Sequence, residues 1–157
     1  MLITQHNLAG TYEHLGRLEE AISLRRKVYS GFLKLLGEEC AETLSAALSY
    51  ASLLINLNHV EESKALLRKS IPVAQCVLGK ETRLTLKMRW IYGEALRRDT
   101  GATLDELREA ATTLEDTERI ARRVFGVAHP LTVDFRKALR YARAALYSFE
   151  RRAGNKH

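Results

Sequence analysis

Apolar residues return at steps of three and four along almost the whole chain. In the last long segment Leu131, Phe135, Ala138, Leu139, Ala142, Ala145, Leu146 and Phe149 fall on one stripe, the spacing of a helix with one buried face. No stretch alternates with period two and β-branched enrichment, so no strand is predicted. The pattern predicts seven helices, over about 2–15, 18–36, 42–57, 60–78, 83–98, 103–125 and 131–152. Two boundaries carry their own chemistry. Thr103-Leu104-Asp105-Glu106 has the form of a capping box, in which the Thr oxygen and the Glu carboxylate each satisfy a free backbone N–H. Pro130 stands at a predicted first helical position, where its missing N–H has no partner to lose.

The pattern also repeats. Leu36-Gly37 returns as Leu78-Gly79, Thr43-Leu44 as Thr85-Leu86, and Leu18-Glu19-Glu20-Ala21 as Val60-Glu61-Glu62-Ser63, each 42 residues on. Leu8-Ala9-x-x-Tyr12 maps by the same step onto Tyr50-Ala51-x-x-Leu54 and Tyr92-Gly93-x-x-Leu96. The third unit is five residues longer, with the extra length at the turn Asp99-Thr100-Gly101-Ala102, so Ala110 lies 47 after Ser63. Small residues (Ala9, Ala51, Gly93 on first helices; Ala21, Ser63, Ala110 on second) mark where paired helices approach closely. Each pair leaves an apolar face that the next must cover. The expected fold is therefore all-α, an α-α superhelix (solenoid) of about three helix pairs plus a C-terminal helix. We expect a single repeat domain over 1–153, with units about 1–41, 42–82 and 83–130, a terminal helix 131–152 and a disordered tail 154–157.

Leu8-Ala9-x-x-Tyr12-x-x-Leu15-Gly16-x-Leu18-Glu19-Glu20-Ala21 resembles the tetratricopeptide repeat. With the 42-residue period, the Leu-Gly endings and Gly126-Val127-Ala128-His129-Pro130, the chain is most similar to the long repeats of the kinesin light chain family. Cys40-Ala41 and Thr82-Arg83 stand where the earlier units would carry His-Pro, and no heptad coiled coil is present, so a motor role is not carried over. The resemblance implies a protein-interaction scaffold whose first helices line a concave surface that takes a peptide or helical segment. That face maps onto Ile3, His6, Asn7, Gly10 and Glu13; onto Ser45, Leu48, Ser49, Ser52 and Asn56; and onto Lys87, Trp90, Ile91, Glu94 and Arg98. Within it the candidate peptide-binding residues are His6, Asn7, Ser49, Ser52, Lys87, Trp90, Glu94 and Arg98. Asn7 alone keeps the family's backbone-gripping amide, with Ser49 and Ile91 in its column. Asn7 reads more readily as a solvated helix residue and Trp90 as core packing, while Lys87 and Arg98 read equally as ordinary surface charge.

Composition excludes more than it selects. The 157 residues are 46% hydrophobic and 28% charged, with nine Gly and two Pro, as in a folded globular chain. Cys40 and Cys76 have no metal-type spacing, and His6, His14, His59, His129 and His157 form no ligand pair, so neither metal nor cofactor is expected. No phosphate-cradling glycine loop is present, and Glu19-Glu20 and Glu61-Glu62 sit where second helices open, favoured there by the helix dipole. No catalytic constellation emerges, and the reading is not an enzyme. Without an apolar run of membrane-spanning length or a secretory start, we expect a cytoplasmic protein with no membrane partner. The bare Met1-Leu2-Ile3 opening suggests a piece of a longer repeat array. The net charge of +6 gathers late, at Arg119, Arg122, Arg123, Arg136, Lys137, Arg140, Arg143, Arg151 and Arg152. This leaves two alternatives open: binding of nucleic acid or acidic polymer on that surface, the less favoured one, and regulatory repeats of a larger enzyme.

Overall fold

Helices form wherever the three-four period runs, and they stop where the backbone must turn. The structure, a computed structural model, describes residues 1–155. Its elements are α1 (Leu2–His14), α2 (Leu18–Leu36), α3 (Ala41–Asn56), α4 (Val60–Val77), α5 (Arg83–Arg98), α6 (Leu104–Phe125) and α7 (Pro130–Gly154). These are the seven expected helices, with ends shifted by at most two residues, and no strand is present among the described residues. The tail expected over 154–157 begins inside α7 at Gly154, with Asn155 as its C-cap, and Lys156 and His157 lie outside the described residues.

Each of the long second helices α2, α4 and α6 is followed within two residues by a glycine. Gly37, Gly79 and Gly126 have φ of 81°, 98° and 97°, a backbone region that a Cβ penalises. Asn58 takes the same left-handed region at φ 63° in the α3–α4 turn, where its short polar side chain is tolerated. The Thr103 oxygen accepts from the Glu106 N–H at 3.2 Å while the Glu106 carboxylate accepts from the Thr103 N–H at 3.0 Å, completing the capping box of α6. At α7, Pro130 occupies the first turn and His129 Nδ1 accepts from the Leu131 N–H at 3.2 Å.

Packing gathers the helices into two compact units, α1–α4 in Met1–Lys80 and α5–α7 from Glu81 on. In the first, α1 packs on α2, α2 on α3 and α3 on α4. The small-residue columns are the contact points: Ala9, Ala21, Ala51 and Ser63 have no exposed surface. The Ser63 hydroxyl donates to the Ala51 carbonyl at 3.0 Å, which brings α3 and α4 backbone to backbone. Val28, Phe32 and Ala46 form one cluster, with Leu2 and Tyr29 packed on it. In the second unit α6 packs on both α5 and α7, and α5 touches α7. Its core is Leu86, Ile120, Ala121, Leu131 and Phe135. The apolar stripe of α7 is buried through Ala142; Ala145 and Leu146 are half-buried and Phe149 is exposed.

Candidate functional site

In the first unit the residues expected on the ligand face are built around a buried cation. Arg25, on α2 and only 8% exposed, points toward α1. Its Nε donates to Glu13 Oε1 at 2.7 Å, its Nη1 donates to the His6 carbonyl at 3.2 Å, and the same Nη1 lies 3.1 Å from the His6 ring. A buried guanidinium needs such partners, since an unpaired one would carry a large desolvation cost. Burial, and then the Arg25 charge, hold the His6 imidazole below its ordinary value, with Glu13 opposing them. The ring is accordingly neutral at pH 7.

Beside this cluster a cavity of about 160 Å³ opens between α1, α2 and α3, lined by Ile3, His6, Phe32, Glu42 and Ser45. Ile3, His6 and Ser45 come from the expected face; Phe32 and Glu42 do not. Glu42 lies one turn before Ser45 on α3, so i,i+3 spacing was the signal that could have found it. Its carboxylate accepts from the Cys40 thiol at 2.7 Å, and that bond holds it below the usual range. Asn7 is exposed on α1 and outside the cavity lining, while Ser49 and Ser52 are half-buried on α3, also outside it.

In the second unit Trp90 packs inward as well as outward. Its ring lies 5.5 Å from Phe135 and against the core cluster, with Phe125 beside it, so core packing accounts for much of its surface. Lys87 is half-buried. Glu94 is held by Arg97, with oxygens at 2.7 and 3.2 Å, and by Arg98 at 3.8 Å. The Arg97 guanidinium lies 5.4 Å from the centre of the exposed Tyr141 ring. Tyr141 is 47 residues after Glu94, in the same repeat column, so α7 adds a further row to this face. Carrying the offset into the last helix would have found it.

The late arginines are largely engaged. Arg119 pairs with Asp116, Arg123 with Glu81, Arg122 and Arg136 with the buried Glu118 at 2.7 and 3.4 Å, and Arg143 with Glu115 at 3.0 Å. Asp116 also takes a 2.7 Å bond from Arg89, which lowers its pKa most, with Arg119 adding to the effect. Among the described residues no helix is long and apolar enough to cross a membrane.

Paired helices with small residues at each crossing, repeated at one offset, make an all-α helical-repeat fold similar to that of tetratricopeptide-like repeats. The tetratricopeptide repeat family model matches residues 1–75. The fold is shared with the nearly identical TPR-like repeats of a kinesin light chain-like protein from Podosopora anserina: TM-score 0.81, 24% identity, over 92% of this chain and 66% of that one. A single-residue variant of those repeats matches with TM-score 0.56 and 19% identity, over 99% of this chain and 90% of that one. BtubC (BKLC) from P. vanneervenii matches with TM-score 0.70 and 15% identity, over 99% of this chain and 64% of that one. The chain thus spans just under two thirds of the first and third of these proteins. At such identities the likeness is one of fold. Among curated proteins none matches the chain.

Proposed function

We infer that the chain, whose residues 1–75 match the tetratricopeptide repeat model, acts as such repeats in general do, as a protein-interaction scaffold. We propose that this chain holds a peptide or a helical segment of a partner protein on its first-helix faces, without catalysing a reaction. The observation that supports this most directly is the cavity of about 160 Å³, because three of its five lining residues, Ile3, His6 and Ser45, belong to the first-helix face expected to meet a ligand. On this reading His6 shapes the cavity wall, while Asn7, Ser49 and Ser52 line the chain's path along α1 and α3. In the second unit Lys87, Glu94 and Arg98 present the corresponding surface, with Trp90 supporting it from the core side. Both cysteines are free, which suits a cytoplasmic partner and a reducing compartment.

The test is a peptide array probed with the whole chain, followed by affinity measurements on the strongest sequences. Replacing Asn7 or Ser52 by Ala should weaken binding several-fold, whereas Lys137→Ala on α7 should leave it within twofold. Affinity indifferent to every α1 and α3 substitution would remove the groove from consideration. Nucleic acid is the weaker reading: five of the late arginines already pair with carboxylates. Phosphate-driven binding would fall steeply with salt.

A further inference from the structure

The cavity in the first unit is selective in its chemistry, and this inference rests on the peptide-binding reading above. Its two apolar walls are Ile3, which is 67% exposed, and Phe32, which belongs to the core and anchors the floor. A volume of about 160 Å³ is enough for one branched aliphatic or phenyl group, since an apolar cavity of roughly 150 Å³ holds benzene. It is too small for a second side chain beside the first. An exposed isoleucine over a solvent-open apolar hollow is surface that a partner's side chain would remove from water.

Charge around the hollow has one sign. Glu42 is the only lining residue with a formal charge, because the His6 ring is neutral at pH 7. The Arg25 cation behind that ring is already matched by Glu13 at 2.7 Å. Glu38, in the α2–α3 turn, lines a separate hollow with Tyr29, Lys69 and Ser70, and the Glu42 carboxylate at this one is bonded to the Cys40 thiol and, among the described residues, to no cation. A carboxylate at the mouth of an apolar cavity, with no cation beside it, repels an acidic ligand and attracts a basic one.

We propose that the cavity lined by Ile3, His6, Phe32, Glu42 and Ser45 takes one aliphatic or aromatic anchor side chain of a partner peptide whose neighbouring residues are Lys or Arg. The anchor fills the hollow, and a flanking cation meets Glu42. Apolar burial sets the depth of insertion, and the Glu42 carboxylate sets which flanks are accepted.

The experiment uses the whole chain and fluorescein-labelled decapeptides in a Gly-Ser background. Their central triplets are Leu-Lys-Arg, Ala-Lys-Arg and Leu-Glu-Glu, and binding is read by anisotropy at low and at physiological salt. Leu-Lys-Arg should bind about tenfold tighter than either of the others. Ser45→Trp, at an exposed position on the cavity mouth, should reduce that affinity at least tenfold by filling the space. Glu42→Gln should shrink the preference for Lys-Arg over Glu-Glu while keeping the preference for Leu over Ala. Circular dichroism melts of both variants establish that they are folded. Equal binding of Leu-Lys-Arg and Leu-Glu-Glu, or full affinity in Ser45→Trp, overturns the assignment. If array peptides bind with no dependence on Ser45 or Glu42, the anchor fails while peptide binding survives. Should neither the triplets nor any array peptide bind, both readings fall together.

Discussion

The Tyr50 hydroxyl donates to the Glu62 carboxylate at 2.5 Å, tying the middle of α3 to the start of α4. The next pair repeats the bond: the Tyr92 hydroxyl donates to Glu109 at 2.6 Å, from α5 to α6. Each tyrosine is buried to the ring while its hydroxyl reaches a carboxylate in the opening turns of the second helix. Glu62, one of the acidic residues that read as dipole partners, is therefore also a cross-helix acceptor, and Glu109 plays that part in α6. In the first unit Arg26 adds a third member, its Nε donating to the Tyr50 oxygen at 2.8 Å.

Removing the phenol should be measurable but not catastrophic. The Glu62 side chain is 44% exposed, so water can replace part of what Tyr50→Phe takes away, and the expected loss is about 1 kcal/mol. Urea denaturation of Tyr50→Phe, Glu62→Gln and the double variant gives the coupling directly. Additive losses in the double variant would mean the bond contributes nothing of its own.

Gly93 tests the close approach of α5 and α6. A Cβ built there would lie 2.6 Å from Leu114 Cγ, and Leu114 is fully buried with nowhere to move. Alanine would gain about 1 kcal/mol in helix propensity, but overpacking a tight core costs roughly 1–3 kcal/mol. The clash should win, giving Gly93→Ala a net destabilisation in a thermal melt. Adding Leu114→Ala should make the glycine replacement favourable, since the obstructing atoms are gone; a Gly93→Ala protein that melts higher than the parent would contradict the packing.

Much of this architecture was legible because it rests on local or periodic signals. Helix ends follow from Gly37, Gly79, Gly126, the Thr103 box and Pro130, and close crossings follow from the Ala9, Ala51 and Gly93 column. Arg25 was not legible, because a charged residue on a helix reads as solvated until Glu13 and His6 arrive from another helix to pair with it. Trp90 was ambiguous for a related reason: spacing gives the face a ring occupies and leaves open that Phe135 lies beneath it. Phe32 and Glu42 entered the cavity from outside the mapped face, since a pocket among three helices depends on how they cross.

His6 gives the first unit a pH dependence. Burial and then the Arg25 cation lower its folded pKa below the unfolded value of 6.5, against the opposing carboxylate of Glu13 on its own helix. Between the two values the unfolded chain binds more protons, so stability falls as pH drops below about 6.5 and levels off beneath the folded pKa. Urea midpoints measured from pH 7.5 to 5 should decline for the parent and decline less for His6→Gln. Parallel curves for the two proteins would assign the acid sensitivity elsewhere.

Threonine stands three residues after the N-cap of each first helix from α3 on, at Thr43, Thr85 and Thr132, and all three are buried. Their hydroxyls have different fates. Thr85 Oγ1 accepts from Thr82 Oγ1 at 2.8 Å, whereas Thr43 Oγ1 and Thr132 Oγ1 are buried without a hydrogen-bond partner. An unsatisfied buried hydroxyl costs about 1–3 kcal/mol, and valine has the same branched shape without the polar atom. Thr132→Val should therefore raise the melting temperature, by roughly 2–4 °C for each kcal/mol recovered. Thr85→Val removes a satisfied bond and should lower it. The two substitutions make the same chemical change at equivalent positions of the repeat, so helix propensity shifts both alike and the difference in sign isolates the hydrogen bond. Matching shifts at 85 and 132 would show that the bond to Thr82 carries no net stabilisation.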